Sequence, residues 1–356
     1  MASVDYKREL KDLIDIVVSE NGSDLHFSVG AHPIVRVSGS LIPLVKKPIL
    51  TDQDLEGFAH SLMSKTKFAE FEETFEADFS YAHADGIRFR GNSFYQSGSV
   101  AIALRLIPSE IRTMAELSLP PILESFVQRP QGFFLCVGPV GQGKSTTLAA
   151  MVEYINQNRA EHIVTIEDPV EYIYDAKKSL IDQREIGIDS ASFEMALNSV
   201  FRQDVDVILV GEMRNAETIA TAVTAAETGH LVLSTLHTNN AAQTIDRIID
   251  AFPAGQQNQI RIQLAGSLAG IFSQRLIPRI SGGLIPAYEL LVNNSAVSNL
   301  IREGRSHEIQ TLIETGLEQG MIDMNRSLTD LVKRGEITVE NAFAYSTNPK
   351  GLERLM

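Results

Sequence analysis

The sequence predicts an α/β protein with a small α+β domain followed by a larger domain built on a parallel sheet. Three features predict it. The glycine-rich loop Gly138-Pro139-Val140-Gly141-Gln142-Gly143-Lys144-Ser145 lies between an apolar run and a helical repeat. After the loop, apolar runs of strand length alternate with helical stretches, as in parallel strands joined by crossover helices. Before it, short strand-like runs and two helix patterns end at a stretch punctuated by Pro108, Pro120, Pro121 and Pro130. The boundaries expected are a domain over 1–110, a linker over 111–130 and a second domain over 131–356, helical from about 285 to 356.

In chain order, Leu10, Leu13, Ile14, Val17 and Val18 mark an amphipathic helix over 6–20. Gly22–Phe27 and Pro33–Gly39 read as short strands with glycine-bearing turns. A second helix is expected from an N-cap at Thr51 or Asp52, with Leu55, Phe58, Ala59 and Leu62 inward. From Ala77 to Ile107 the chain is β-rich, and Arg88 and Arg90 share one strand face by period two. Gly132–Val137 is a buried strand, and Leu148, Met151, Val152 and Ile155 give the helix after the loop one apolar face. Further buried strands are expected at His162–Ile166, Val205–Val210 and Leu231–Leu236. The apolar face of Leu264, Leu268 and Ile271, read at helical spacing, suits core or an interface, and core is expected.

Composition narrows the class. Of 356 residues, 44% are hydrophobic and 21% charged, the balance of a soluble globular protein. There is no apolar run of about eighteen residues, so no membrane-spanning helix is expected. The opening Met1-Ala2-Ser3-Val4-Asp5 turns charged at once and does not resemble a signal peptide. Cys136 is the single cysteine, which excludes disulfides and cysteine zinc sites within one chain; its place in an apolar strand suits a small core residue. A formal charge of −14 speaks against a surface built to bind nucleic acid.

The loop fits G-x-x-x-x-G-K-[ST], and strand and helix flank it as a phosphate cradle requires. Its glycines let backbone N–H groups turn toward phosphate, and the helix N-terminus adds partial positive charge. Lys144 is placed to reach the β- and γ-phosphates of a nucleotide, and Ser145 to hold Mg²⁺. Ligands of such sheets bind at the carboxyl ends of the strands. Glu167 and Asp168, Glu212, and His237 each follow one of these strands. Glu212, preceded by Gly211, is the natural water-orienting base. Metal binding leans on Ser145, waters and Glu167 or Asp168, although those carboxylates also suit capping of a following turn. His237 suits a γ-phosphate sensor or a satisfied buried histidine. His230 follows a helix ending at Thr228-Gly229, where the helix dipole also favours a histidine. Residue pattern alone leaves Arg88, Arg90, Arg105, Arg202 and Arg214 as surface groups.

Four stretches stand together: Gly138–Thr146, Thr165–Glu171, Asp206–Arg214, and Thr228 through Thr238. Their order and wording resemble the secretion ATPase superfamily, with its Walker A, Asp box, Walker B and His box. Val207–Arg214, Ala225–His230, Ser23-Asp24-Leu25-His26 and Asn299–Glu303 resemble the type IV pilus retraction ATPases, the PilT family. The resemblance covers almost the whole chain. It implies a PAS-like N-terminal domain joined to a RecA-like ATPase domain, assembled as a homohexamer that hydrolyses ATP with Mg²⁺. It implies that Gly138, Pro139, Val140, Gly141, Gln142, Gly143, Lys144, Ser145 and Thr146 bind nucleotide. Glu212 matches the family's catalytic glutamate, Glu167, His230 and His237 its Asp- and His-box positions, and Arg90 and Arg105 arginines that approach the phosphates. The family motif Ala-Ile-Arg-Asn-Leu-Ile-Arg-Glu, tied to retraction, reads here Ala296-Val297-Ser298-Asn299-Leu300-Ile301-Arg302-Glu303, with Ser298 in place of the first arginine. Val140 and Gln142 stand where the family usually has Thr and Ser, at positions whose backbone, more than side chain, meets phosphate.

The function this implies is a motor for retraction of a type IV pilus, cytoplasmic and peripheral to the inner membrane. Its implied partners are an inner-membrane pilus platform protein and a paralogous pilus ATPase. The alternatives are an accessory retraction paralogue and a pilus-assembly or type II secretion ATPase. The latter usually carries a longer N-terminal region and often a four-cysteine zinc element, which a single cysteine disfavours. A ring-shaped nucleic-acid translocase is disfavoured by the acidic charge, and an intact Glu212 argues against a nucleotide-binding regulator too slow to do work.

Overall fold

A computed structural model describes residues 5–37, 39–83, 86–107, 110–213 and 215–356. Met1–Val4, Ser38, Pro108 and Arg214, which figure in the sequence reading, lie outside the described residues. The chain forms two compact units, one reaching Glu110 and including Glu171–Ile173, the other comprising Ile111–Val170 and Tyr174–Met356. Among the described residues no helix is long and apolar enough to cross a membrane.

The first unit is an antiparallel sheet with helices Tyr6–Ser19, Asp52–Leu62 and Lys65–Thr74. Its strands are β1 (Gly22–Phe27), β2 (Ile34–Val37), β3 (Ser40–Pro43), β4 (Glu76–Ala82), β5 (Arg88–Gln96) and β6 (Ser99–Ile107), in the order β3-β2-β1-β6-β5-β4. The first helix buries Leu10, Leu13, Ile14 and Val17 by its period. The second starts where a capping box forms: Thr51 accepts from the Asp54 N–H, and Asp54 accepts from the Thr51 N–H. Phe27 stacks on Phe58 at 4.9 Å between ring centroids, joining sheet and helix across this core. The short β3 and the helix Lys65–Thr74 were not legible in the pattern. β3 is exposed throughout and so shows no alternation.

The second unit holds a seven-stranded sheet: β7 (Gly132–Val137), β8 (His162–Glu167), β9 (Leu180–Glu185), β10 (Val207–Val210), β11 (Leu231–Leu236), β12 (Leu268–Pro278) and β13 (Leu284–Val292). Its order is β13-β12-β7-β11-β10-β8-β9, parallel except for the antiparallel edge strand β13. β7 and β11 are buried at every residue, as helices on both faces require. β11 lies between the loop strand β7 and β10, so the ends of three strands that are far apart in sequence become neighbours.

Three expectations change. The stretch 111–130 belongs by its contacts to the second unit, and Leu123, Phe126 and Val127 are buried there. The helical C-terminal region begins only at Ser295, because β13 occupies Leu284–Val292. Leu264, Leu268 and Ile271 are core residues as expected, but they do not share a helix. Leu264 lies in the last turn of the helix Ala254–Ser267, whereas Leu268 and Ile271 lie in β12.

Candidate functional site

β7 ends at Val137, and the loop turns into the helix Lys144–Asn158. Gly138 has φ +148°, and a Cβ there would lie 2.5 Å from the Gln274 carbonyl oxygen. Gly143 has φ +77°, and its Cβ would meet Gln274 Nε2 at 2.9 Å. Both positions therefore demand glycine, for conformation and for close approach. The loop is braced from β12, which runs beside β7. Gln274 Nε2 donates to the Gln142 carbonyl at 2.6 Å, its Oε1 accepts from Thr147 Oγ1 at 2.7 Å, and the Leu276 N–H donates to Gln142 Oε1 at 2.7 Å. Gln142 thus serves through its side chain as well as its backbone, and Gln274, fully within the core, had no sequence signal. Val140 at the loop tip is 80% exposed.

Lys144 is buried although charged. Its ammonium donates to the Gly138 and Pro139 carbonyls at 2.8 and 2.9 Å and to His237 Nδ1 at 3.1 Å. An ammonium has donors only, so Nδ1 accepts and the ring proton is left on Nε2. That nitrogen faces Glu212 Oε1 at 3.3 Å. The loop lysine, the end of β11 and the residue after Gly211 are in this way linked through one imidazole. Beside Glu212 and His237 opens a cavity of about 590 Å³, with Met213, Ile219, Leu236 and Arg247 on its walls.

Glu167 ends β8 in the buried interior, next to the end of β10: Ile166 pairs with Val210, and a Cβ on Gly211 would lie 3.4 Å from Glu167 Cα. A side chain at Gly211 would make only ordinary contact there, and Glu167 and Glu212 share one edge of the sheet. Asp168 follows, before Pro169, across a cis peptide bond. Ser145 and Thr146 stand half-buried in the first turn of the loop helix.

Two expected groups are not part of this cluster in the second unit. His230 precedes β11, whose carboxyl end carries His237, and its carbonyl accepts from the Gly132 N–H at the start of β7. Six residues of strand separate it from the phosphate loop, about 20 Å at the rise of a strand. There its Nδ1 is 3.0 Å from the Ala225 carbonyl, and Phe201 packs against the ring at 5.6 Å edge-on. Arg90 and Arg105 belong to the first unit, where they are direct cross-strand partners on β5 and β6. Asp24 on β1 accepts from Arg105 Nε at 2.9 Å and lies 3.6 Å from Arg36 Nε. Burial works against ionisation of Asp24, but the Ser23 hydroxyl and Arg105 outweigh it and hold the carboxyl below its ordinary value. The result is an exposed arginine row with one buried counter-charge.

The family model for the Type II/IV secretion system protein matches residues 7–283. The chain is 42% identical to the type IV pilus retraction ATPase PilT of Pseudomonas aeruginosa, over 94% of this chain and 97% of that one. It is 41% identical to the type IV pilus ATPase PilU of the same organism, over 98% of this chain and 91% of the other. A crystal structure of the pilus retraction motor PilT with bound ADP is 47% identical and superposes with a TM-score of 0.89, over 96% of this chain and 98% of its own. With its phosphate loop, strand-end glutamate and bridging histidine in place, the chain belongs to the Type II/IV secretion system protein family, among the PilT-like secretion ATPases.

Proposed function

We propose that the chain is a mechanochemical ATPase that powers retraction of a type IV pilus. It acts as a homohexamer, cytoplasmic and peripheral to the inner membrane, on a pilus platform protein there. The observation that carries the reading is the link Lys144–His237–Glu212 at the sheet edge where the loop lies. Loop N–H groups and Lys144 neutralise the phosphates of ATP, while Glu212, held in aim by His237, orients the attacking water. Arg90 and Arg105 supply charge to the phosphates from the first unit, as the family resemblance implies. The donors around the loop suit Mg²⁺: the Ser145 hydroxyl and the Glu167 carboxylate offer oxygen alone. Among the described residues no group of three or more His, Cys, Asp or Glu could hold a metal. Bound at the loop, Mg²⁺ supplies charge neutralisation at the phosphates.

A second reading, an accessory retraction ATPase that works beside a paralogous motor, is favoured by Ser298. It stands in the retraction motif and is buried, its Oγ donating to the Ala265 carbonyl at 2.8 Å and lying 3.1 Å from Asn293 Oδ1. A motif arginine would not fit that place unchanged.

The test is ATP turnover and solution mass of the wild type and Glu212→Gln. The expected result is a hexamer in both, with turnover down about a hundredfold in the variant and nucleotide still bound. Equal turnover removes Glu212 from its role. Complementation of a non-retracting strain, with and without a paralogous ATPase gene, separates the two readings.

A further inference from the structure

The turn 238–240 leaves His237 and enters the helix Ala241–Asp250. Three side chains from β12 and β13 hold it. Ser273 and Glu289 are direct partners in the β12–β13 pair, so their side chains share a face of the sheet, and Arg275, two residues along, shares it too. Ser273 Oγ donates to the Asn239 carbonyl at 2.8 Å, and Arg275 Nη2 donates to Asn239 Oδ1 at 2.9 Å. Glu289 Oε1 accepts from the Ala241 N–H at 2.9 Å. Gln274, between them on the opposite face, holds the phosphate loop. The strand therefore braces both halves of the site, one from each face.

Glu289 is 4% exposed, and a carboxylate at such depth is costly unless something answers it. Ala241 begins a helix, so its N–H has no partner within that helix, and only an acceptor from outside can satisfy it. We infer that Glu289 is a positioning residue for ATP hydrolysis: by fixing the Ala241 N–H from within the core, it holds His237 between Lys144 and Glu212. This rests on the ATPase reading above.

The surroundings make the brace sensitive to pH. Burial pushes the Glu289 carboxyl up to about 7, against the Ala241 N–H, which lowers it; Asp323 and Glu314 raise it and the Gln310 side chain lowers it. The charged groups near it are Arg275 on β12, Asp323 capping the helix Met324–Lys333, and Glu314 on the helix Ile309–Thr315. The helix Ala241–Asp250 itself carries Asp246, bonded to the Ser306 hydroxyl, with Arg247 and Asp250. Ionised Glu289 is the stronger acceptor for the helix start. Turnover therefore gains a component that falls as pH drops through about 7.

The experiment compares wild type, Glu289→Ala and Glu289→Gln. It measures kcat and KM for ATP from pH 6 to 8.5, ADP affinity, and hydrogen exchange of the Ala241 amide. Glutamine can accept the same N–H but does not titrate. Expected is a kcat about tenfold lower in Glu289→Ala at pH 8, with ADP affinity within about twofold and faster exchange at Ala241. Glu289→Gln restores protection and most of kcat, and loses the inflection near pH 7. The inference is overturned if Glu289→Ala keeps wild-type kcat and protection, or if Glu289→Gln is as impaired as Glu289→Ala. It is equally overturned if turnover and ADP binding fall together, which marks a purely structural residue, or if Glu289→Gln keeps the inflection. Exchange at Ala241 needs no turnover. A wild type without ATPase activity would thus defeat the functional reading, while the exchange data still decide whether Glu289 holds the turn.

Discussion

The carboxyl and amino ends of the parallel strands in the second unit both carry histidines and carboxylates, yet they use them differently. At the carboxyl end, His237 lies between two other side chains, Lys144 and Glu212, which arrive from the loop and from beyond β10. At the amino end, each imidazole has Nδ1 on backbone carbonyls. His162 Nδ1 lies 3.0 and 3.1 Å from the Gln203 and Asp204 carbonyls, and its Nε2 lies 2.9 Å from Asp182 Oδ2. His230 Nδ1 faces the Ala225 carbonyl. A ring bound to main chain satisfies the fold that surrounds it, and its loss is felt as stability. A ring suspended between side chains is held for what those side chains meet, and its loss is felt as chemistry. The difference lies in strand direction, since parallel strands gather loops at their carboxyl ends.

The largest break in this contrast is expected from Lys144→Ala. The variant removes two hydrogen bonds from a charged donor to the loop carbonyls as well as the reach to phosphate. Charge-assisted bonds contribute about 1.5–3 kcal/mol each, and the one Lys144 would make to phosphate is lost with the side chain, so nucleotide affinity should fall about tenfold or more. Thermal unfolding should also shift down, because the Gly138 and Pro139 carbonyls lose their donor. Calorimetric titration with ADP and a melting curve check both halves; a variant that binds ADP as the wild type does would end the assignment of the loop.

Gln274→Ala tests whether the brace on β12 belongs to the carboxyl-end site or only to the core. It leaves the buried Thr147 hydroxyl without its acceptor and frees the Gln142 carbonyl. An unsatisfied buried group costs about 1–3 kcal/mol. We expect a lower Tm together with about tenfold weaker ADP binding, since the same contact holds the loop. A lower Tm with unchanged ADP affinity would make Gln274 a core residue and nothing more.

What was legible in the sequence follows the same division between local and distant causes. The loop, β7 and β11 were read with their observed ends, and the helix cap was placed at Thr51 or Asp52, of which Thr51 is the cap, because each depends on residues within a few positions. Glu212 and His237 were singled out because each stands at the end of an apolar strand, Glu212 one residue on past Gly211. Gln274 was not: its contact to Gln142 spans 132 residues and exists only because β12 lies beside β7. Glu289 was hidden for the same reason. Helix and strand were confused at Leu264, Leu268 and Ile271 because β12 is buried on both faces here, so apolar spacing carried no period of two. His230 stood in a motif as prominent as that of His237, and only the direction of β11 separates them.

The smallest expected effect is at the amino end, and it concerns stability alone. Burial would lower the basicity of His162, but hydrogen bonds to Asp182 and to the Asp204 and Gln203 carbonyls outweigh it and raise the value above that of an ordinary histidine. A histidine raised on folding stabilises the protein fully below its unfolded value, and that contribution is lost as pH rises through the folded value. Melting temperature should therefore decline on the alkaline side of the ordinary histidine range, with a component that His162→Ala removes. Asp182 is 59% exposed, so solvent screens the pair and a contribution of about 0.5–1 kcal/mol is expected. In a domain of this size that is a shift of roughly 2 °C. ADP affinity should stay unchanged at every pH, for the imidazole is bound to the far end of the sheet. If His162→Ala weakened ADP binding without lowering Tm, the two ends would not be functionally separate, and the division between a fold-holding and a chemistry-holding edge would fail.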